Sequence, residues 1–145
     1  MSEEIKNIIK YSLNADYSNL NNLREFIMSH AKKNGWDNEN AYLISLAVDE
    51  ACTNLIRYAY KFDKTKKIEI ILKPKQDKFV VIIKDSGKPF NPLEVPPPDM
   101  EEYFNEFKRG GLGIFIINKA MDEIIYKKGN NLHYNELTLI KYLPA

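Results

Sequence analysis

The sequence has few of the residues that form disulfides and metal clusters. Its 145 residues include one cysteine, Cys52, and two histidines. A single cysteine excludes an internal disulfide framework, and this set is too small for a Cys/His metal cluster. These absences indicate a protein from a reducing compartment, and we expect it to be cytoplasmic.

The sequence also lacks a charge imbalance and any long apolar run. Lys and Arg number 21 against 20 for Asp and Glu, so net charge gives no reason to expect nucleic acid or an anionic membrane as a partner. The N-terminal stretch MSEEIKNIIKYS has no signal-peptide core, and no run approaches the length of a membrane span. We therefore expect one domain over residues 1–145 that binds neither nucleic acid nor membrane directly.

The first half of the chain is typical of helices. Apolar residues at helical spacing predict a helix over Asn19–Lys33, and Asp37 is a good N-cap for a second helix that runs to about Tyr60. The earlier segment Ile5–Leu13 fits either a strand or a helical stripe.

The second half is typical of strands joined by short turns. KIEIILK alternates in hydropathy and KFVVIIKD is continuously apolar over Phe79–Ile83, which predicts a central strand buried on both faces. Two further strands are predicted near Asp122–Lys128 and Leu132–Tyr142, around a GNN turn. Short turns make both pairs antiparallel, so the fold class is α+β.

A long irregular stretch separates the two strand pairs. Residues 86–109 hold five of the seven prolines, and connections of this length are usually lids or binding loops. An apolar helix is predicted after it, from about Leu112 to Met121.

The first candidate site is the pair Glu50 and Asn54, one turn apart in the apolar stretch LAVDEACTNLIRYAY. One interpretation places both at a solvated helix edge, with Glu50 pairing to Lys61 or Arg57. The other is a general base beside a metal ligand, because a carboxylate near hydrocarbon has a raised pKa and an amide oxygen suits Mg²⁺.

The second candidate is Asp85 with Gly87, in IIKDSGKPF at the end of the apolar strand. Asp-Ser-Gly is more often a plain turn. The functional interpretation is that a carboxylate in an apolar pocket accepts a hydrogen bond from the amino group of a base such as adenine. A purine with a carbonyl in place of that amino group would leave Asp85 without a donor.

The third candidate is the glycine-rich stretch KRGGLG, where glycines 110, 111 and 113 precede the apolar helix. Unpaired amides at a helix start, with Lys108 and Arg109 beside them, suit phosphate binding; a flexible hinge is an equally good interpretation. The P-loop pattern is absent, and Gly111-Leu-Gly113 lacks the third glycine of the dinucleotide fingerprint.

Together these motifs resemble the GHKL ATPase superfamily with its Bergerat fold, and more narrowly the anti-sigma factor serine kinases of bacteria. DEACTNLIRYAY resembles the family's N-box, DSGKPFNP its first glycine box, RGGLGIFIINKAMDEI its second and NELTLIKYL its last strand motif. The resemblance covers nearly the whole chain. It implies a two-layer α/β sandwich, with a mostly antiparallel sheet covered on one face by helices, and it makes the first segment a strand.

The resemblance also implies roles for single residues. Glu50 would activate the acceptor hydroxyl, Asn54 would coordinate Mg²⁺, and Asp85 would bind the adenine amino group in a pocket shaped by Gly87. Arg24 would lie near a partner surface. The remaining nucleotide contacts would come from the end of an ATP lid at about 88–109 and from the last strand: Arg109, Gly111, Gly113 and Thr138. Tyr58 stands where many relatives have histidine.

The implied function is that of an ATP- and Mg²⁺-dependent serine-protein kinase and anti-sigma factor. Such a protein binds a sigma factor and phosphorylates a serine of an anti-anti-sigma antagonist, commonly as a homodimer. Glu50 favours this over a histidine kinase, because histidine kinases usually supply the N-box asparagine without this glutamate. The alternative is a nucleotide-responsive binding module of the same fold without kinase activity.

Overall fold

The computed structural model describes residues 8–94 and 113–144, and the side chains of residues 116–144 in the second range. Short 3₁₀ turns lie at Tyr17–Asn19 and Pro92–Glu94, and a π-helical segment follows the second helix at Leu55–Ala59. The main elements, in chain order, are β1 (Ile9–Asn14), α1 (Leu20–Lys33), α2 (Asn38–Asn54), β2 (Lys67–Pro74), β3 (Lys78–Asp85), α3 (Gly113–Ala120), β4 (Glu123–Lys127) and β5 (Asn135–Tyr142).

The five strands form one sheet in the order β1-β2-β3-β5-β4, with every neighbouring pair antiparallel. The hairpin pairing of β2 with β3 and of β4 with β5 is as the short turns predict. The first segment is a strand, β1, at one edge of the sheet. The α+β fold class is therefore confirmed, with helices in one layer and an antiparallel sheet in the other.

The helices form because their apolar residues repeat at helical spacing, and α2 also has a side-chain N-cap. In α1 the buried residues are Leu20, Leu23, Ile27 and Ala31. At the start of α2 the side chain of Asp37 accepts a hydrogen bond from the Asn40 amide at 2.8 Å. Helix α2 packs against both α1 and α3, so it lies at the centre of the helical layer.

The sheet presents alternate residues to the helices, as the period of a strand requires. On β2, Ile68, Ile70 and Leu72 are fully buried in the core. On β3, burial on both faces is only partial, because Ile82 is half-buried while its neighbours are buried. The core therefore lies between the helices and one face of the sheet.

One strand boundary and the type of one helical segment differ from the predictions. Strand β5 begins at Asn135 and not at Leu132, because the chain over residues 128–134 is held by local turn contacts, including hydrogen bonds to the Asn130 side chain. The second helix reaches the expected end but changes to π-helical hydrogen bonding after Asn54. Among the described residues, no helix is long and apolar enough to cross a membrane.

Candidate functional site

A small cavity lies between the end of α2, the ends of β3 and β5, and helix α3. The open volume is about 10 Å³, which is about that of a single water molecule. Phe90 and Pro92, just after β3, form part of its wall. Its lining combines apolar side chains with one carboxylate, one amide and one phenol: Ala51, Asn54, Leu55, Asp85, Phe90, Pro92, Ile117, Tyr126 and Leu137.

Asp85 is the carboxylate of this cavity, and it is 3% exposed. Its Oδ2 accepts hydrogen bonds from the Gly87 amide at 2.9 Å and from the Asn135 side-chain amide at 3.2 Å. Burial raises the pKa of Asp85, and these two hydrogen bonds oppose the rise. Both bonds from the described residues fall on Oδ2, so Oδ1 keeps its capacity to accept from a ligand.

Gly87 allows the end of β3 to approach the end of the second helix. A Cβ at this position would lie 2.6 Å from the Ala59 carbonyl oxygen and 2.8 Å from the Tyr60 ring. The Tyr60 hydroxyl accepts a hydrogen bond from the Ser86 amide at 2.8 Å and donates to the Lys67 carbonyl at 2.6 Å. Gly87 is thus needed for close packing that fixes the position of Asp85.

Asn54 is the amide of the cavity and the last residue of α2. It is 8% exposed, and its Nδ2 has no hydrogen-bond partner among the described residues. Leaving a buried donor unpaired costs about 1–3 kcal/mol, so natural proteins rarely keep one without a use. The π-helical segment begins at the next residue, where the Tyr60 amide donates to the Leu55 carbonyl at 2.8 Å. Such segments are frequent at functional sites.

Glu50 lies one turn before Asn54 and is half-buried. Burial is the main cause that raises its pKa; the neighbouring Asp49 adds to the rise, and Arg57 opposes it. Glu50 does not line the cavity itself. Its raised pKa suits a general base, provided a hydroxyl is brought to it.

Arg24 crosses from α1 to α2 and pairs with Asp49 at 2.7 Å. The same guanidinium donates to the Asn21 side chain at 2.9 Å. Burial raises the pKa of Asp49, and Arg24 lowers it. The structure therefore gives Arg24 partners within the chain, next to Glu50, and its role at a partner surface stays a prediction.

The glycine-rich site falls mostly outside the described residues. Arg109, Gly111 and most of the expected lid at 88–109 are outside the described residues. Gly113 is the first residue of α3. The phosphate-binding role of these residues stays a prediction. Within the described residues no group of three His, Cys, Asp or Glu side chains lies close enough to hold a metal ion.

Thr138 is not brought to the cavity. It pairs with Ile82 on β3 and with Ile125 on β4, which places it on the sheet face opposite Asp85. Its neighbour Leu137 lines the cavity instead. The expectation that Thr138 lines an adenine pocket is therefore not supported by this register, because neighbouring residues of a strand point to opposite faces.

The residues of the site that were not among the expected ones include Phe90, Tyr126, Leu137 and Asn135. Asn135 follows Asp85 by 50 positions, and its side-chain amide joins Asp85 to the Gly87 carbonyl at 3.0 Å. Asn135 is the first residue of the stretch NELTLIKYL, but nothing in that stretch indicates its contact with Asp85. Tyr126 and Leu137 do have a signal, because alternation of apolar residues along β4 and β5 places them on the core face.

This arrangement suits recognition of a planar base that carries an amino group. The free carboxylate oxygen of Asp85 accepts one hydrogen bond, and Ile117 and Leu137 supply apolar surface. The open volume is too small for a purine, so Phe90 and Pro92 must move for one to enter. At the other end the unpaired amide of Asn54 suits the polar part of such a ligand.

Known proteins share this sequence pattern. A relative named Serine-protein kinase RsbW, from Bacillus licheniformis, is 31% identical over 98 residues, which are 65% of this chain and 61% of the relative. The protein of the same name from Bacillus subtilis strain 168 is 30% identical over 99 residues, again 65% and 61%. That from Staphylococcus aureus strain JH9 is 35% identical over 89 residues, or 57% and 56%. The chain thus spans less than two thirds of these relatives.

The family model described as Histidine kinase-like ATPase domain matches residues 13–141. This range includes the last two residues of β1, all of α1 to β4, β5 up to Lys141, and both Asn54 and Asp85. Its extent agrees with the five-stranded antiparallel sheet and its helical layer. The chain therefore belongs to the histidine kinase-like ATPase domain family.

Proposed function

We propose that the chain is an ATP-dependent serine-protein kinase that also acts as an anti-sigma factor. The observation that carries this is the geometry of α2 and β3: Asp85 and Asn54 line one cavity, and Glu50 lies one turn from Asn54. The relatives named as serine-protein kinases support the reaction type.

In this proposal the adenine amino group donates to Oδ1 of Asp85. Oδ2 is already fixed by Gly87 and Asn135, so the carboxylate is oriented before the ligand arrives. Ile117 and Leu137 pack against the base. A base with a carbonyl in place of the amino group would leave Asp85 unpaired, which favours adenine.

Asn54 would hold Mg²⁺ through its amide oxygen, which is the hard type of ligand that this ion takes. Its buried Nδ2, which has no partner among the described residues, would donate to a phosphate oxygen. Mg²⁺ takes one or two protein ligands beside phosphate oxygens and water, and it would neutralise phosphate charge. Arg109, Gly111 and Gly113 would contact the phosphates.

Glu50 would accept the proton of the attacking serine hydroxyl. The serine oxygen bonds to the γ-phosphorus as the bond to the β-phosphate oxygen breaks, and ADP leaves. A glutamate with a raised pKa is a better base than an ordinary one, and the acceptor hydroxyl must approach from the solvent-accessible side of α2.

The partners would be a sigma factor and an anti-anti-sigma antagonist that carries the acceptor serine, so the protein would act in the cytoplasm. We propose a homodimer as its working state, with Arg24 near the partner surface. The pairing of Arg24 with Asp49, beside Glu50, would link that surface to the base.

The experiment supplies labelled ATP and Mg²⁺ to the purified chain with a soluble extract of its own organism. We expect one labelled acceptor protein with phosphoserine. Glu50→Gln should remove the label, whereas Glu69→Gln, at an exposed position on β2, should keep it. ATP binding without any phosphoserine would refute the kinase and leave a nucleotide-responsive module.

A further inference from the structure

Four side chains at the end of the second helix form one surface, here called the aromatic–arginine surface: Tyr17, Arg57, Tyr58 and Phe62. The Arg57 guanidinium lies 5.8 Å from the centre of the Tyr58 ring, and the Tyr17 and Phe62 rings meet edge to face at 5.8 Å. The phenols of Tyr58 and Tyr17 raise the pKa of Arg57, and burial opposes the rise. The three rings are 41–53% exposed.

The backbone that presents Phe62 is strained. Lys61 and Phe62 have φ angles of 50° and 66°, in the left-handed region that non-glycine residues rarely adopt. Burial of the Phe62 ring does not offset this cost, since the ring is 53% exposed. Strained residues with exposed side chains are more frequent at functional sites than elsewhere.

The positive charge of the chain is concentrated beside these rings. Residues 57–67 contain five cationic side chains and one acidic one, Asp63, although the whole chain has a net charge of +1. Two of the lysines have contacts within the chain, Lys64 with Asp16 at 3.9 Å and Lys67 with the Asn14 side chain at 3.2 Å. The segment as a whole presents a basic surface.

This surface adjoins the candidate site. The Tyr58 ring stacks on Phe90 with centres 4.9 Å apart, and Phe90 lines the cavity. Arg57 lies close enough to Glu50 to lower its pKa. A molecule bound across Tyr17 and Arg57 would therefore lie next to the carboxylate that receives the acceptor hydroxyl.

We infer that the aromatic–arginine surface binds an acidic segment of the phosphoacceptor protein and so selects which serine reaches Glu50. The inference rests on the proposed kinase function. Tyr and Arg are the residues most enriched where binding energy concentrates in protein interfaces, and the basic segment complements acidic residues. Single-stranded nucleic acid also binds such surfaces. The near-neutral chain and the position beside Glu50 favour a protein.

Binding without nucleotide provides the first test. The probe is a fluorescent copolymer of glutamate and tyrosine, titrated against the full chain in anisotropy measurements. Arg57→Ala should weaken binding roughly ten-fold, the size expected of an interface hot spot. Lys33→Ala removes one exposed charge at the end of α1 and should change the affinity for the copolymer by less than about two-fold. Equal losses in the two variants would overturn the inference.

Two variants of Phe62 separate binding from folding. Phe62→Gly and Phe62→Ala both remove the ring, but only glycine relieves the positive φ. We expect both to weaken copolymer binding equally and only Phe62→Gly to raise the melting temperature. A lower melting temperature for Phe62→Gly with unchanged copolymer binding would show a purely structural role and overturn the inference.

The remaining arms separate this inference from the kinase proposal. Copolymer should inhibit serine phosphorylation by the wild-type chain, and half-inhibition of Arg57→Ala should need roughly ten-fold more copolymer. Copolymer binding with no phosphoserine product would refute the kinase alone and leave the acidic binding surface. No copolymer binding, or tighter binding of a twelve-residue thymidine oligonucleotide, would overturn the surface whatever the kinase assay shows.

Discussion

At one end of the cavity Asp85 accepts two hydrogen bonds on Oδ2, and Gly87 packs closely against Ala59 behind it. At the other end Asn54 keeps a buried amide without a partner among the described residues, and Glu50 has a pKa raised by burial. The Asp85 end is organised before any ligand binds. The Asn54 end retains a buried donor without a partner among the described residues, and a ligand can supply that partner.

This difference suggests a division of work between recognition and chemistry. A fixed carboxylate selects a base by geometry, whereas unpaired groups on a helix end gain most when phosphate and metal arrive. Binding should therefore stabilise the Asn54 end more. A ligand at 100 times its Kd adds about 2.7 kcal/mol to the free energy of unfolding.

The largest expected effect is at the Asn54 end. Glu50→Gln should lower the rate of serine phosphorylation by roughly 10²–10⁴-fold, because it removes the general base. Nucleotide affinity should stay within about two-fold, since Glu50 does not line the cavity. Single-turnover rates with saturating ATP, and nucleotide titrations by calorimetry, measure the two quantities separately.

The pH dependence sharpens the same prediction. A base must be deprotonated, so the wild-type rate should rise with pH through a pKa above the ordinary glutamate value. Arg57 lowers that pKa, so Arg57→Ala should shift the rising limb to higher pH. A rate that does not change between acid and neutral pH would contradict the role of Glu50.

The sequence was most informative about the helices and about local motifs. The periods of α1 and α2, the Asp37 cap and the position of Asp85 at the end of an apolar strand all follow from neighbouring residues. Asn135 could not be predicted, because its contact with Asp85 depends on tertiary pairing across 50 residues. The π-helical segment likewise depends on packing around Tyr60, which no local pattern encodes.

At Thr138 the role implied by the resemblance and the alternation of the strand disagree. Leu137 and Leu139 are buried in the core, so the residue between them faces the other side of the sheet. That conclusion needs only the period of a strand. The lesson is that a residue transferred from a resemblance has to be checked against the faces of its own strand.

The Asp85 end is tested by Asp85→Asn. The amide oxygen still accepts from Gly87 and Asn135, but an amide NH₂ now faces the donor of adenine. We expect ATP affinity to fall roughly 10- to 100-fold, the cost of an unpaired buried donor, while the fold is kept. Titration calorimetry measures the loss. Asn135→Ala removes one of the two donors to Oδ2 of Asp85, together with the Asn135 hydrogen bonds to Gly87 and Gly129, and should have the smaller effect on ATP affinity.

The same variant has a pH signature in stability. Burial raises the pKa of Asp85 in the folded state above its value in the unfolded chain. The protonated side chain therefore contributes fully to the free energy of unfolding below the unfolded-state pKa, and this contribution is lost as pH rises through the folded-state pKa. Asp85→Asn does not titrate, so it does not lose this part of the free energy of unfolding as pH rises. Urea unfolding should show the variant gaining stability, relative to the wild type, from acid to neutral pH; a parallel shift at all pH values would contradict the burial argument.

Gly87→Ala tests whether the Asp85 end depends on close packing. The new Cβ would meet the Ala59 carbonyl at 2.6 Å, so the end of β3 or the π-helical segment has to move. We expect a loss of about 1–3 kcal/mol in the free energy of unfolding, typical of overpacking. Denaturant unfolding measures it. Gly35→Ala is an informative control, because a Cβ at Gly35 would meet no atom within 4 Å. The cost of this substitution comes only from the positive φ of 94° at Gly35.

The smallest effect is expected at Tyr58, which stacks on the cavity wall residue Phe90. An aromatic pair of this kind contributes about 0.5–1.5 kcal/mol, and Phe90 has to move before a purine fits. Tyr58→Ala should therefore favour the open cavity and speed association of a fluorescent ATP analogue by about two- to ten-fold in stopped-flow measurements. Tyr58→Phe keeps the stack and Tyr42→Ala removes a remote exposed ring, so both should bind at the wild-type rate. Slower association in Tyr58→Ala would mean that the stack holds the cavity open, and the two ends would then be coupled through Phe90.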